Sequence, residues 1–272
     1  MATKFHKLTK VSTWRKLALH TWSAPADPTV YGTMEIDVSQ TLPYIERLRA
    51  HSGVKVTITH LVGKAVAMAI RERPDLNGII RRGKIYLRDT VDVFFQVAFD
   101  GGEDLSGVKV SRADEKSVVE IALELAQKAE RVRQKTDENL RNTTLLLNRV
   151  PSSFVGAALR LVSSLSYDLD LDLRRIGIPY DQFGSVMVTN VGGFGVTHGY
   201  APLVPFARTP ALLTVGAIVD KPVAREGRAV VAPVITVGGT FDHRFIDGFQ
   251  AAKLSRRFQD IVGDPQAHLG DA

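Results

Sequence analysis

The chain has 272 residues, 44% apolar and 24% charged, which is the ordinary composition of a globular protein and fits one large domain or two small ones. Its formal net charge of +6 slightly favours acidic partners, but no basic run is interleaved with aromatic residues, so we expect no nucleic-acid binding. The absence of cysteine excludes disulfides, thiolate metal sites and a cysteine nucleophile.

The N-terminal half alternates predicted helices and strands. Its basic first residues lack the apolar stretch and cleavage site of a secretory signal, so a cytoplasmic location is the default expectation. Helical periodicity predicts helices over 39–53, 57–73 and 117–141, and Gly53 and Pro74 mark the ends of the first two. Strand-forming runs predict strands over 30–38, 84–88, 91–99 and 108–111, the last following a loop at 100–107.

The C-terminal half begins with an unusual segment. Residues 140–179 are rich in Leu, Val and Ser, and we predict two helical pieces broken near Pro151. The apolar run between Arg149 and Arg160 is too short to span a bilayer. Predicted strands then cover 185–191, 211–219 and 229–245, and an amphipathic helix covers 247–265. A single α+β domain over residues 1–272 fits this order.

The stretch GGTFDHRFIDGF, residues 238–249, contains the strongest candidate for a catalytic group. It reads as a buried strand that runs into a turn at His243, and Gly248 after Asp247 indicates a tight turn. An imidazole is the natural base near neutral pH, and a free thiol, only a few per cent ionised there, gains from such a base. The alternative is a core histidine satisfied by hydrogen bonds, and spacing alone favours that alternative.

Other motifs do not support a metal or a dinucleotide. The remaining histidines form no HxxxH pair, and Asp168, Asp170 and Asp172 begin an EF-hand-like pattern that fails at Leu173 and Pro179. We therefore expect no metal site. NVGGFG, residues 190–195, is not the GxGxxG fingerprint, and its glycines indicate a turn after a buried strand.

Two segments together resemble a known family. VTNVGGFG, followed about fifty residues later by FDHRFIDG, is similar to the catalytic domain of the acyltransferase component of 2-oxo-acid dehydrogenase complexes, whose signature is HxxxDG. The resemblance covers roughly 13–135 and 180–265, and its further matches are Arg15-Lys16, IDV, KAVAMAI, RPDLN, VDVFFQVAF and SRADEKSVVEIA. It implies an α+β, chloramphenicol acetyltransferase-like two-layer fold with a mixed β-sheet and packed helices.

The resemblance also implies an activity. It implies a homotrimer, with or without assembly into a cage, whose active sites lie at subunit interfaces and admit coenzyme A and dihydrolipoamide from opposite sides. His243 would take the proton of the attacking thiol. Thr189 stands where the family has a serine, just before Asn190, and its hydroxyl would stabilise the oxyanion, although a β-branched strand residue is its commoner role. No covalently bound cofactor is implied.

The supporting residues follow from the same resemblance. Asp247 is expected as a buried carboxylate paired with Arg15, which would fix the turn that carries His243, while proton relay by Asp247 is the alternative. Gly248 and Asn190 complete this support. For Arg15 the alternative is a solvated residue at the start of a helix.

The chain departs from the family in three respects. We expect it to carry neither a lipoyl nor a subunit-binding domain, so that any lipoyl group comes from another chain, such as a lipoylated dehydrogenase-complex component. Gly107 and Val108 replace a Thr-Pro pair near the channel, which leaves the acceptor open. Residues 140–179 are expected to be an insertion that adds a helical layer. A lid, or a face for a membrane or a partner, is the alternative interpretation of this insertion.

Two other functions remain open from sequence. The same base would serve transfer from acyl-CoA to a hydroxyl or amine acceptor. A non-catalytic trimeric scaffold is the third interpretation, and the intact His243, Asp247 and Thr189 hydroxyl argue against it.

Overall fold

The computed structural model describes residues 12–14, 16–17, 27–99, 104–134 and 151–271. Six strands form one sheet: β1 (Thr29–Asp37), β4 (Val93–Phe99), β5 (Asp104–Val110), β6 (Val186–Asn190), β7 (Ala211–Arg225) and β8 (Arg228–Asp242). A separate two-stranded hairpin consists of β2 (Gly78–Arg81) and β3 (Lys84–Leu87).

The large sheet is mixed, with the strand order β1-β8-β7-β6-β4-β5. β6 lies between β4 and β7 and runs parallel to both. The remaining pairs, β1–β8, β7–β8 and β4–β5, are antiparallel. A mixed sheet with helices packed on it confirms the two-layer α+β fold expected from the sequence.

The helices are α1 (Thr41–Ser52), α2 (Ile58–Arg71), α3 (Val118–Arg133), α4 (Ser152–Ser163), α5 (Gly248–Gly263) and α6 (Pro265–Leu269). Local sequence explains their ends. Gly53 closes α1 in the left-handed conformation, with φ of 69°. Ser117 caps α3 in a capping box with Glu120.

One face of the sheet packs against helices to form the main core. Val186 and Val188 of β6 join this core, whereas Met187 between them joins a second cluster with Phe94 and Leu212. Because neighbouring strand residues point to opposite faces, Thr189 lies on the same face as Met187. Thr189 therefore faces away from the main core.

Residues 196–207 cover part of this second face. The Ala201 N–H donates to Thr214 Oγ1 at 3.2 Å, and the Thr240 hydroxyl donates to the Ala201 carbonyl at 2.8 Å. Residue 216 of β7 must be glycine for residues 196–207 to approach the sheet this closely. A Cβ on Gly216 would lie 2.1 Å from the Thr197 carbonyl oxygen. The covering segment and the sheet are therefore in backbone-to-backbone contact.

Replacement of Gly216 with alanine is expected to destabilise the fold by about 3 kcal/mol, because two backbone carbonyls, those of Thr197 and Thr236, block the added methyl group. Equilibrium denaturation measures this loss. The matched control is Gly156→Ala in α4, where a Cβ meets nothing within 4 Å, and where alanine should stabilise the helix by about 0.5–1 kcal/mol. Equal effects of the two substitutions would contradict the contact.

The described part of the predicted insertion packs on the covering segment. After Pro151 come α4 and a single π-helical turn, Ser164–Asp168. The Ser163 hydroxyl donates to the Phe206 carbonyl at 3.2 Å. No helix among the described residues has both the length and the apolar character needed to cross a membrane. The first predicted helical piece, before Pro151, lies outside the described residues.

One local prediction was wrong, and one strand was missed. Residues 104–107, predicted as loop, open β5, because they pair with β4, for example Gly107 with Gln96. The predicted strand at 84–88 is confirmed as β3, but its hairpin partner β2 was not predicted. The prediction for NVGGFG is confirmed, since Gly192–Phe194 form a 3₁₀ turn after β6 and Gly195 has φ of 80°.

Candidate functional site

His243 lies on an exposed turn directly after β8. Its backbone N–H donates to the Pro28 carbonyl at 2.9 Å, which ties the turn to the chain just before β1. The flanking residues Asp242 and Arg244 pair with each other at 2.6 Å. The alternative of a buried core histidine is wrong for the described chain, because the imidazole is exposed at the end of a buried strand.

Asp247 caps the last long helix. Its carboxylate accepts the Gln250 N–H at 2.9 Å, and its own N–H donates to the Gln250 side chain at 3.0 Å, which is a capping box. The prediction that Asp247 is buried was wrong, because this residue is exposed in the single chain. Its expected partner Arg15 lies outside the described residues.

Gly248 and Arg73 complete the surroundings of Asp247. Gly248 is the first residue of α5 and has no positive φ, so the turn lies at 243–245 rather than at the glycine. Arg73 is a neighbouring cation that the sequence did not single out. Asp75 raises its pKa through a hydrogen bond, and Asp247 adds to this effect.

Thr189 and Asn190 end β6, and both are half-buried. The Asn190 amide donates to Thr59 Oγ1 at 2.7 Å, and its carbonyl oxygen accepts the Gly193 N–H at 3.3 Å. Asn190 therefore fixes the end of β6 to the N-terminus of α2, as expected of a supporting residue. Thr59 was missed, because nothing in one sequence pairs residues 131 positions apart.

One chain does not bring Thr189 and His243 together. Thr189 is level with Thr214 of β7, which is level with Gly238 of β8. His243 lies five residues beyond Gly238, which is about 17 Å along the strands, and two strand spacings add about 10 Å across the sheet. A hydrogen-bonding distance between them within the chain is therefore excluded.

A cavity of about 600 Å³ lies beside the His243 turn. One part of its wall consists of Asp27 and Thr29 at the start of β1, Asp242 and Arg244 of the His243 turn, and the turn between β2 and β3. Its size is typical of small-molecule sites. The other wall is formed by residues 203–205 and 208–210, the end of the covering segment and the residues that follow it.

The insertion holds part of that wall in place. Asp168 accepts two hydrogen bonds from the Arg208 guanidinium, at 2.5 and 2.7 Å. Mainly because of these bonds, the pKa of Asp168 is lowered from 3.8 to about 2, and its burial opposes the shift. Both side chains are about four-fifths buried, with exposed fractions of 22% and 20%. This ion pair therefore connects the insertion to the cavity.

Replacement of Asp168 with asparagine is expected to destabilise the protein at pH 7 by about 2 kcal/mol. Because the folded-state pKa is depressed, the stabilisation is present above 3.8 and is lost as pH falls towards about 2. Denaturation of both proteins at a series of pH values measures the difference. Asp172→Asn is the control: Arg174 also holds the pKa of Asp172 at about 2, but both side chains are more than half exposed, so the loss of this pair should leave stability unchanged.

The three aspartates of the EF-hand-like pattern each bind an arginine. Asp168 binds Arg208, Asp170 lies 3.4 Å from Arg81, and Asp172 pairs locally with Arg174. In the part of the chain that the structure covers, no group of three or more His, Asp or Glu residues is arranged to hold a metal ion.

Comparison with known proteins defines the class. The chain belongs to the 2-oxoacid dehydrogenases acyltransferase (catalytic domain) family, whose sequence model matches residues 7–147 and 181–269. The unmatched residues 148–180 fall almost entirely within the predicted insertion.

Named relatives agree with this family. The chain is 26% identical over 242 residues to the dihydrolipoyllysine-residue acetyltransferase component of the acetoin cleaving system of Bacillus subtilis, covering 89% of this chain and 48% of the relative. It is 26% identical over 248 residues to the corresponding pyruvate dehydrogenase component of the same organism, covering 88% and 45%. The chain thus spans about half the length of these relatives.

Solved structures share the fold. A probable dihydrolipoamide acetyltransferase from Listeria monocytogenes aligns with a TM-score of 0.64 at 20% identity, covering 94% of both chains. Dihydrolipoamide acetyltransferase of Azotobacter vinelandii aligns with a TM-score of 0.66 at 21% identity, covering 89% of this chain and 84% of that one. The cubic core of a pyruvate dehydrogenase multienzyme complex gives 0.66 at 22% identity, with the same coverage.

Proposed function

We propose that the protein transfers an acyl group between coenzyme A and a thiol acceptor such as dihydrolipoamide. The observation that carries this proposal is the exposed His243 at the end of a buried strand, within a chain that belongs to an acyltransferase family. Coenzyme A and the dihydrolipoyl group act as substrates, and the mechanism uses no covalently bound cofactor. A lipoylated protein of a 2-oxo-acid dehydrogenase complex is the proposed partner.

In the proposed mechanism, His243 takes the proton of the attacking thiol, and the resulting thiolate adds to the thioester carbonyl carbon. The Thr189 hydroxyl donates a hydrogen bond to the tetrahedral oxyanion. When the carbonyl re-forms, the carbon–sulfur bond to the original thiol breaks, and His243 returns the proton to that leaving thiolate. Asp247 acts on stability, as the cap of α5, and not as a proton relay.

The proposed site is shared between two copies of the chain. The separation of Thr189 and His243 within one chain supports this arrangement, because neither residue can serve the other's chemistry there. In a homotrimer, each copy would present His243 at one interface and Thr189 at the next, since the contacts of a three-membered ring join unlike surfaces. The trimer is then the smallest unit with a complete site.

Complementation tests the shared site. The His243→Ala and Thr189→Val chains are each expected to be nearly inactive, but co-expressed in equal amounts they should recover about a quarter of the wild-type rate, the fraction of interfaces with both groups intact. Light scattering reports the oligomeric state alongside. Absence of recovery from verified mixed oligomers would sink the two-chain site.

Acyl transfer itself is tested with acetyl-CoA, succinyl-CoA and longer acyl-CoAs and with dihydrolipoamide as acceptor. Release of free coenzyme A together with acylated dihydrolipoamide is the expected result. If a folded oligomer transfers no acyl group to any thiol, thiol acyl transfer is refuted. Hydroxyl and amine acceptors would then be assayed, and inactivity with these as well would favour the scaffold function.

A further inference from the structure

Thr189, the proposed oxyanion donor, lies where β6 loses one of its two neighbouring strands. β6 pairs with β4 only as far as Val188, which is level with Phe95. Its pairing with β7 continues through Thr189 to Asn190. Of the two strands that flank β6, only β7 therefore holds the backbone at Thr189.

The direction of the Thr189 hydroxyl depends on this stretch of backbone. One side-chain torsion orients a threonine hydroxyl, and branching at Cβ restricts that torsion. A shift of the backbone is therefore passed on to the hydroxyl. A donor stabilises an oxyanion only when it lies about 2.7–3.1 Å from the charged oxygen. The hydroxyl thus needs an anchor for its backbone besides β7.

The start of α2 supplies that anchor. The amide of Asn190, the residue after Thr189, donates to Thr59 Oγ1 at 2.7 Å. α2 is itself firmly placed, because Leu61 and Val62 are completely buried in the main core. Successive strand residues point to opposite faces, so this anchor acts from the core face and leaves the face of Thr189 to a substrate.

His60 fixes the turn that carries Thr59. The Thr57 N–H donates to His60 Nδ1 at 3.1 Å, and the Thr57 side chain accepts the His60 N–H, which together form a capping box. Burial, assisted by the nearby Arg49 guanidinium, lowers the pKa of His60 from 6.5 to about 4. The ring is therefore neutral at pH 7, and its Nδ1 remains an acceptor, as it could not in an imidazolium.

We propose that Thr59 is a positioning residue for acyl transfer, held in place by His60. It fixes Asn190, and through Asn190 the backbone of Thr189, so that the Thr189 hydroxyl meets the oxyanion. Neither Thr59 nor His60 touches the substrate in this arrangement. The inference rests on the proposed function for the role of Thr189.

A double-mutant cycle tests whether Thr59 acts through Thr189. Thr59→Val, which removes the acceptor but keeps the shape, is expected to lower kcat by about tenfold at unchanged KM. In the Thr189→Val background the same substitution should have no further effect, because the hydroxyl that it misplaces is absent. Thr59→Ser, which keeps the acceptor, should restore kcat.

Variants of His60 test the turn itself. His60→Gln should keep kcat close to that of the wild type, because glutamine is a common acceptor at this position of a capping box. His60→Leu removes the acceptor and should lower kcat in the same way as Thr59→Val. Equal kcat values for the two His60 variants would remove His60 from the proposal.

Thr41→Val is the matched control. Thr41 is also a threonine at the start of a helix, α1, and its hydroxyl donates to the distant Val262 carbonyl. Its loss should reduce stability in equilibrium denaturation but leave kcat unchanged. If Thr41→Val lowered kcat as much as Thr59→Val, or if the Thr59 and Thr189 effects multiplied, Thr59 would be a structural residue only.

A readout without catalysis separates this proposal from the proposed reaction. The Val191 N–H, directly after Asn190, donates to the Val215 carbonyl at 2.9 Å. Hydrogen exchange of a peptide covering 186–195, followed by mass spectrometry, should be faster in Thr59→Val and unchanged in Thr41→Val. Unchanged exchange in Thr59→Val would overturn the anchor. Faster exchange in a chain that transfers no acyl group would support the anchor and refute the reaction.

Discussion

Replacement of His243 with alanine is expected to lower kcat for acyl transfer by about 10²–10⁴ at pH 7, because the attacking thiol then loses its base. The deficit should shrink as pH rises past the ordinary thiol pKa of about 8.5, where the thiol ionises without help. This pH dependence separates a base from a residue that only maintains structure. The pH dependence is measured as the rate of transfer to dihydrolipoamide between about pH 6 and 9.5, in steps of roughly half a pH unit. The buffers are chosen to keep the protein folded.

The control for this experiment is His51→Ala. His51 is an exposed histidine near the end of α1, and its ring Nδ1 lies 3.0 Å from the Arg47 carbonyl oxygen. Its loss should leave kcat unchanged. Because the His243 imidazole is exposed, the His243→Ala protein should unfold at the same denaturant concentration as the wild type. A His243→Ala enzyme with wild-type kcat would remove His243 from the mechanism.

Replacement of Thr189 with valine is expected to lower kcat by about 10²–10³, since valine keeps the branched shape but removes the hydroxyl that donates to the oxyanion. KM should change little, because the charge it stabilises exists only in the transition state. Steady-state kinetics with acetyl-CoA and dihydrolipoamide measure both constants.

The matched variant is Thr189→Ser, which keeps the hydroxyl and should keep kcat close to that of the wild type. A wild-type kcat in both variants would instead identify Thr189 as an ordinary strand residue. In that case valine, a better strand former, would retain activity and stability, and serine would cost stability only. The kcat of the Thr189→Val protein therefore separates the two interpretations.

Much of the fold is predictable from local sequence. The helix α2 has an apolar face with helical periodicity and ends before Pro74, and α1 ends at Gly53, so both follow from local signals. The start of β5 could not be predicted in this way. Residues 104–107 are polar and glycine-containing, and they become a strand only because β4 offers them backbone partners.

The candidate site divides in the same way. The motif around His243 identifies the family, together with the order of VTNVGG and FDHRFIDG along the chain. Both the motifs and their separation can be read directly from the sequence. The burial of Asp247 was wrongly expected, since its N-capping role depends on where α5 begins. Thr59 and Arg208 carried no signal, because their contacts join residues 131 and 40 positions away.

Most of the elements, the family, and the candidate base and oxyanion donor were predictable from sequence, because they depend on local periodicity and on residue type at fixed spacing. The tertiary structure decided which groups meet. Strand order and register separate Thr189 from His243 within the chain, and the fold brings Asp168 of the insertion to Arg208 at the cavity wall. Such pairings depend on the path of the backbone through space, which is set by the packing of the whole core rather than by any local stretch.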